Sequence, residues 1–232
     1  MFSNRNEDPV QIMSRSRSSA GSLIASHSVL KNTYMLLALT LIFSAFTAFF
    51  AMASGVGFIN PFLFLIVAMG LQFLIYSTAN SAFGLVAVFL FTGFMGFTLG
   101  PLLNTVIANF ANGPQLIMTA LGGTGLIFLA LSGYVLTTRK DMSFLSGMLF
   151  AASIVGLIAI VAGLFFHFPA LHLAISALFM LISSGLILFQ TSEIIHGGET
   201  NYIRATLTLY VSIYNLFISL LQILMAFNSD DR

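Results

Sequence analysis

Long apolar runs alternate with short polar connections along almost the whole chain. Seven runs have lengths near the roughly 20 residues that an α-helix needs to cross a bilayer. Pro61, Pro114 and Pro169 stand at or near the starts of runs, and Gly197-Gly198 follows the sixth, as is typical of helix starts and ends. The pattern predicts an all-α integral membrane protein, a bundle of seven transmembrane helices. The predicted spans are residues 32–53, 61–78, 82–107, 115–137, 144–167, 170–195 and 202–227.

The composition strengthens this prediction and removes several classes of function. Of the 232 residues 58% are hydrophobic and only 6% are charged, with a mean hydropathy of +1.01. A soluble domain carries about a quarter of its residues charged, so the lipid bilayer must be the solvent for most of this chain. The net charge of +1 argues against a nucleic-acid partner. The absence of cysteine excludes disulfides, thiolate metal sites and cysteine nucleophiles.

Basic residues fall almost entirely on one side of the predicted membrane. They lie before the first span, between the fourth and fifth, and at the start of the seventh, and Arg232 alone lies on the other side. The excess of Lys and Arg in cytoplasmic segments predicts a cytoplasmic N-terminus and a periplasmic C-terminus. The residues on the basic side are Arg5, Arg15, Arg17, Lys31, Arg139, Lys140 and Arg204.

Outside the spans the chain has two short tails. Residues 1–29 are polar, rich in Ser and Arg, and lack the apolar core of a cleaved signal peptide. We therefore predict a disordered cytoplasmic tail over 1–29, a seven-helix transmembrane domain over 30–228, and a short periplasmic tail over 229–232.

The stretch between the sixth and seventh spans gathers Glu193, His196, Glu199 and Arg204, which raises the alternative of an active cluster. Glu193 and His196 form a Glu-x-x-His pair, but a di-metal bundle site needs two such pairs and further carboxylates. The favoured interpretation is a water-facing cytoplasmic loop, with His196 at a helix C-terminus and Thr200 or Asn201 capping the next helix. The sequence contains no recognised catalytic or metal-binding motif, so we predict no catalytic residue, no metal, no cofactor and no enzyme activity.

Uncharged polar residues within the spans are the other candidates for function. Each must find a partner in hydrocarbon, and such residues serve equally as interhelical hydrogen-bonding groups or as the lining of a narrow hydrated path. They are Gln72, Asn104, Gln190, Ser212, Asn215 and Gln222. In the third span, Gly96 and Gly100 form a Gly-x-x-x-Gly face that predicts close helix packing, and Pro101 predicts a kink or break.

Several long strings carry a family resemblance. They are HSVLKNTYMLLALTL, YVLTTRKDMSFLSGML, PALHLAISALF and IIHGGETNYIRAT, together with Gly100-Pro101-Leu102-Leu103-Asn104 at the end of the third span. With seven predicted spans, the chain resembles the transmembrane Bax inhibitor motif (Bax inhibitor-1) family over about residues 25–227. The resemblance is strongest to bacterial members of the inner (cytoplasmic) membrane that modulate FtsH, a membrane-anchored ATP-dependent protease.

The resemblance also identifies an important departure. Many members carry two membrane-embedded aspartates, one in a Phe/Tyr-Asp-Thr string and one in a Leu-Tyr-x-Asp-x-x-Asn string. Gln190 and Ser212 occupy those two places here, and Asn215 matches the final Asn. A Gln–Ser pair is able to form a hydrogen bond but carries no charge, so it would bind Ca²⁺ weakly or not at all.

Two functions from different classes follow from the resemblance. The first is an interaction protein that binds FtsH and inhibits it as a slow substrate, presenting the N-terminal tail around Arg15 and Arg17 as the protease handle. The second is a calcium or proton leak path lined by Gln190, Ser212, Asn215 and the region of Gly100, Pro101 and Asn104. The missing aspartates weaken the second.

Overall fold

Seven α-helices make up the computed structural model, which describes residues 9–166 and 168–229 and the side chains from Ser26 onward except at 164, 169 and 229. No strand occurs within these ranges. The bounds of all helices except the first agree with the predicted spans to within two residues. The helices are α1 (Pro9–Ala53), α2 (Pro61–Thr78), α3 (Ala82–Asn109), α4 (Gly113–Thr138), α5 (Leu145–Phe165), α6 (Pro169–His196) and α7 (Tyr202–Ser229).

Helix α1 differs from the expectation at its N-terminal end. It begins at Pro9 and runs for 45 residues, so residues 9–29, for which disorder was predicted, are helical. The physical reason is that no proline lies between Pro9 and the end of α1, so the apolar span supplies a formed helix that extends toward the N-terminus at little cost in nucleation. Residues 1–8 and 230–232 lie outside the described residues, as do the side chains of Arg15 and Arg17, so the protease handle stays a prediction.

Each of the seven helices is long and apolar enough to cross a membrane, and the part of α1 that qualifies is Ser26–Ala53. The helix ends follow the predicted signals. Asn60 Oδ1 accepts the Phe62 N–H at 2.9 Å where α2 begins, and Gly197 ends α6 with a φ of 79°. Arg139 ends α4 with a φ of 50°, a left-handed conformation that most residues with a Cβ avoid.

Helix α7 occupies the centre of the bundle. It packs against α1, α2, α3, α4 and α6, whereas α5 packs against α6 alone. In the most apolar stretch of α7, 50% of the residues are buried inside the bundle, compared with 11% in that of α2 and 17% in that of α5. Leu209, Tyr210, Leu216 and Leu221 are fully buried. The outer faces of α2 and α5 therefore remain for lipid.

All charged side chains described by the structure lie at one end of the bundle. This charged end carries the start of the first apolar span and the loops 79–81, 139–144 and 197–201. The opposite, uncharged end carries the loops 54–60, 110–112 and 166–168. Within the charged end, the backbone N–H of Ser143 donates to Asp141 Oδ1 at 2.8 Å and holds the pKa of Asp141 below its ordinary value.

The predicted glycine face of α3 packs closely on α1. A Cβ placed on Gly96 would collide with the backbone oxygen and hydroxyl of Ser44, and one placed on Gly100 would lie 2.5 Å from the Cβ of Ala51. Only glycine permits this approach of two backbones. Of the kink or break predicted at Pro101, the break is wrong, because α3 continues as helix to Asn109. Packing on α1 holds the helix together despite the one backbone hydrogen bond that proline removes.

Candidate functional site

One asparagine binds the α6–α7 loop to the turn between α2 and α3. Asn201 Oδ1 accepts the backbone N–H groups of Ile203 (2.9 Å) and Arg204 (3.2 Å), which caps α7 as predicted. Its Nδ2 donates to Ala79 O (2.9 Å) and to Asn80 Oδ1 (2.8 Å). A single side chain therefore starts the central helix and holds the neighbouring turn against it.

The last turn of α6 binds the α4–α5 loop in a similar way. His196 Nε2 lies 3.1 Å from Arg139 O, and Nδ1 lies 2.9 Å from Ser192 O. Ser192 Oγ accepts the backbone N–H of Met142 at 2.9 Å and donates to Lys140 O at 3.4 Å. We call Ser192, His196 and Asn201 the charged-end clip, because together they tie three loops of that end to one another.

The acidic residues of the stretch between α6 and α7 take part in local backbone contacts. Glu199 Oε1 accepts the Asn201 N–H at 2.8 Å, and the Glu193 carboxylate lies against Gly198, where a Cβ would collide with it. Among the side chains described from Ser26 onward, no three His, Asp or Glu residues are placed to share a metal ion. The charged stretch is thus built as a structured loop.

Two of the four Lys and Arg side chains described at this end lie over tyrosine rings. The guanidinium of Arg204 is 5.9 Å from the centre of the Tyr76 ring, and Lys140 Nζ is 5.9 Å from that of Tyr134. Both tyrosines are partly exposed, at 49% and 42%. A cation above an amphipathic ring is the arrangement expected at the headgroup level of a membrane.

Gln190 is a buried polar side chain whose amide nitrogen is unpaired within the described part of the chain. Only 6% of it is exposed, and its Nε2 has no hydrogen-bond partner among the described residues. Ser176 Oγ donates to Gln222 Oε1 at 2.7 Å and fixes how the antiparallel α6 and α7 align. Because the two helices are antiparallel, counting the same number of residues forward from Ser176 and backward from Gln222 places Gln190 at the level of Thr208. Thr208 is one helical turn from Ser212. The amide therefore lies deep in the bundle, toward its charged end.

The other candidate residues do not form one polar lining with Gln190. Ser212 is fully buried, and its hydroxyl donates to Thr208 O at 2.8 Å within its own helix. Asn215 is half-buried on the same helix. Asn104 lies toward the uncharged end, where its Nδ2 donates to Met52 O at 3.0 Å. In this arrangement Asn104 links two helices, whereas Gln190 is left with unused hydrogen-bonding capacity.

Replacing Gln190 with methionine should stabilise the bundle. Methionine has nearly the same shape without the amide, and an unpaired buried polar group costs about 1–3 kcal/mol, so we expect the free energy of unfolding to rise by about 1 kcal/mol. Titration from mixed micelles into SDS measures this quantity. The matched control is Gln222→Met, which removes the bond from Ser176 and should leave stability unchanged or lower. A loss of stability in Gln190→Met would show that its amide is paired.

Two hydroxyl networks inside the bundle were not predicted from the sequence. Tyr210 Oη lies 2.6 Å from Ser44 Oγ and donates to Thr92 O at 3.2 Å, which joins α7 to α1 and α3. Near the charged end, the hydroxyl of Tyr34 contacts those of Ser132 and Thr191 and joins α1 to α4 and α6. The available signal was a tyrosine within an apolar run, because a buried phenol needs a partner.

Comparisons with known proteins connect this architecture to a family. The family model described as inhibitor of apoptosis-promoting Bax1 matches residues 26–229. The modulator of FtsH protease YccA of Escherichia coli K12 is 58% identical over 203 residues, which are 88% of this chain and 92% of that protein. The inner membrane protein YccA of Escherichia coli O6:H1 matches to the same extent. An uncharacterized protein of Pseudomonas aeruginosa is 56% identical over 203 residues, covering 88% and 91% of the two chains.

Proposed function

This chain belongs to the Bax1-I family, whose model is described as inhibitor of apoptosis-promoting Bax1. From that premise we propose that the chain binds the membrane-anchored protease FtsH and modulates it as a slow substrate. It is a multi-pass protein of the inner membrane. The observation that carries the proposal is its 58% identity, over almost the full length of both chains, to a protein named modulator of FtsH protease.

The distribution of charge supports a cytoplasmic charged end. Lys31, Arg139, Lys140 and Arg204 are the basic side chains that the structure describes, and all four lie at that end. The positive-inside preference then directs the N-terminus to the cytoplasm and the C-terminus to the periplasm. This orientation brings the N-terminal segment and the charged-end clip to the side where ATP-dependent unfolding takes place.

Cysteine labelling tests the orientation cleanly, because the chain has no cysteine of its own. We expect a membrane-impermeant maleimide to label Ala111→Cys, in the exposed loop of the uncharged end, when added to cells with a permeable outer membrane. Ser143→Cys, in the exposed loop of the charged end, should react only after the inner membrane is opened. The reverse pattern would invert the proposed orientation.

The charged-end clip offers a reason for slow processing. A protease that starts at the N-terminal segment first pulls α1 away from α3 and α7, and to extract the later helices it must also break the hydrogen bonds of Asn201 and His196 to neighbouring loops. Loops held to one another open together rather than one by one, which raises the cost of extracting these later helices. A substrate that resists extraction occupies the protease and delays the turnover of others.

The N-terminal segment is the proposed handle. Residues 1–29 contain Arg15 and Arg17 and precede the first apolar span, and the part from Pro9 onward is helical. A single polar helix outside the membrane is easily unfolded, because helices gain most of their stability from packing. It therefore suits engagement by an unfolding protease as well as a disordered tail does.

The test compares the full-length chain with a variant lacking residues 1–20, both tagged at the C-terminus. We expect the full-length chain to be degraded slowly and captured by an FtsH variant that cannot cleave. The shortened chain should be stable and still captured, because the bundle makes the contact. A variant lacking only residues 230–232 serves as the control and should behave as the full-length chain. Capture of none of them would overturn the proposed interaction.

A calcium or proton leak path remains the second candidate, favoured by the unpaired amide of Gln190 deep in the bundle. An unused donor in that position is a place where water is able to bind. Because Gln190 and Ser212 carry no charge, we expect Ca²⁺ to bind weakly or not at all. Liposomes containing the chain should leak protons faster than empty liposomes, and Gln190→Met should abolish the difference. Equal leak in both kinds of liposome would exclude this candidate.

A further inference from the structure

Helices α1 and α4 stand apart and leave a cavity between them. Their Cα atoms stay more than 8 Å from one another throughout the described residues, although both pack on α7. The cavity has a volume of about 390 Å³. Its walls include Ala45 and Phe49 from α1 and Leu121 and Gly125 from α4, and Phe217 of α7 lies at its floor.

The cavity opens sideways, toward the surroundings of the bundle. Phe49 and Leu121, one from each wall, are 69% and 52% exposed, so the space between them is not covered by protein. Toward the charged end it is closed, because Tyr34 of α1 reaches across to α4 and its ring lies 5.9 Å from that of Phe128. The opening therefore faces the hydrocarbon of the membrane half next to the uncharged end.

The hydroxyl groups bordering the cavity are already used. Ser44 and Tyr210 bond each other at 2.6 Å, and Thr124 donates to Ala120 O at 2.7 Å. The hydroxyl of Tyr214 lies 3.4 Å from that of Thr98. All other side chains of the wall are apolar or glycine. A space of this kind holds no ordered water and favours an apolar occupant.

The size of the cavity suits a segment of hydrocarbon chain. An apolar cavity of about 150 Å³ holds one benzene, so about 390 Å³ has room for roughly two to three groups of that size. An extended acyl chain is narrow and enters with its methyl end. No basic side chain described by the structure lies at the uncharged end, so nothing there selects an anionic headgroup. We propose that the α1–α4 cavity binds one acyl chain of a zwitterionic phospholipid from the adjoining leaflet.

Quenching by brominated lipid tests this proposal, because the chain contains no tryptophan. The reporter is Phe217→Trp in the full-length chain, reconstituted in bilayers of phosphatidylcholine brominated on its acyl chains. Phe217 is 5% exposed, so bromine reaches the reporter only through the cavity. Phe62→Trp, at a position that is 77% exposed, gives the quenching of a fully accessible site.

Two double variants distinguish a filled cavity from a merely altered surface. Ala45→Phe with Gly125→Phe places two phenyl rings in the cavity, whereas Ala38→Phe with Gly122→Phe places them on exposed positions of the same helices outside it. Neither glycine has an atom within 4 Å of an added Cβ, so both variants should fold. A benzene fits a space of about 150 Å³, so two rings occupy most of the cavity, and we expect quenching to fall roughly threefold.

The outcomes separate the possible occupants. Quenching of the reporter that falls with the cavity-filling pair and not with the exposed pair supports the bound acyl chain. Absence of quenching, or an equal effect of both pairs, overturns the proposal. Protection of the reporter that increases with protein density in the bilayer would assign the cavity to a second copy of the chain and overturns it as well.

Discussion

Gly96→Leu should prevent the bundle from folding. A Cβ at this position collides with the backbone oxygen and hydroxyl of Ser44 and with the hydroxyl of Thr47. Helices α1 and α3, which share the most extensive helix–helix interface of the bundle, must therefore move apart. Overpacking that moves backbone costs more than the 1–3 kcal/mol typical of side-chain repacking, and we expect a loss of about 4 kcal/mol or more. Size-exclusion chromatography in mild detergent should show aggregation in place of a monodisperse peak.

The matched control is Gly133→Leu on α4. An added Cβ there meets no atom within 4 Å, so the same chemical change should leave the chromatographic profile as it is. Gly96→Ala is an intermediate test, because alanine adds the colliding Cβ without the rest of the leucine side chain. A folded and stable Gly96→Leu chain would contradict the close approach of α1 and α3.

Asn201→Ala should shorten the lifetime of the protein in cells by about 30-fold, since about 1.4 kcal/mol of lost stability is a factor of roughly ten. The change removes the cap of α7, worth about 1 kcal/mol, and the two hydrogen bonds to Ala79 and Asn80, worth about another 1 kcal/mol. The loop then opens more often, and degradation that depends on opening should accelerate by the same factor. Pulse-chase labelling with and without active FtsH measures the effect.

Asn201→Asp separates the cap from the clip. Aspartate retains the acceptor for the N–H groups of Ile203 and Arg204 but cannot donate to the α2–α3 turn. We expect a lifetime between those of the original chain and Asn201→Ala. If Asn201→Ala were degraded faster in cells that lack FtsH as well, the clip would stabilise the fold without bearing on this protease.

The sequence predicted the spans well because hydrocarbon imposes a single requirement on every span. Backbone groups must be satisfied within the helix, so apolar length, proline and glycine suffice to locate the boundaries. The bounds of α2, Pro61–Thr78, were predicted to the residue. The start of α1 was not, because outside the membrane a polar helix and a disordered tail have similar compositions. The Gly96 contact was also predicted, since small residues spaced by one turn have few other uses in a span.

The contents of the site were harder to predict, because they depend on which helices are neighbours. A hydropathy pattern contains no information on the gap between α1 and α4 or on the partner of Tyr210 across the bundle. Gln190 was identified as a candidate, but the isolation of its amide depends on three-dimensional packing. Pro101 was expected to kink or break its helix, and packing against α1 keeps the helix unbroken.

The helix at the centre of the bundle, α7, is synthesised after the other six described helices. Six helices enter the membrane before α7, which packs against five of them, has been translated. Until then the inward face of α6, including Gln190 and Thr191, lacks its largest packing partner and is open to lipid. Closure of the bundle therefore waits for α7, and a chain interrupted before α7 stays open in the membrane, with its N-terminal segment already available to quality control.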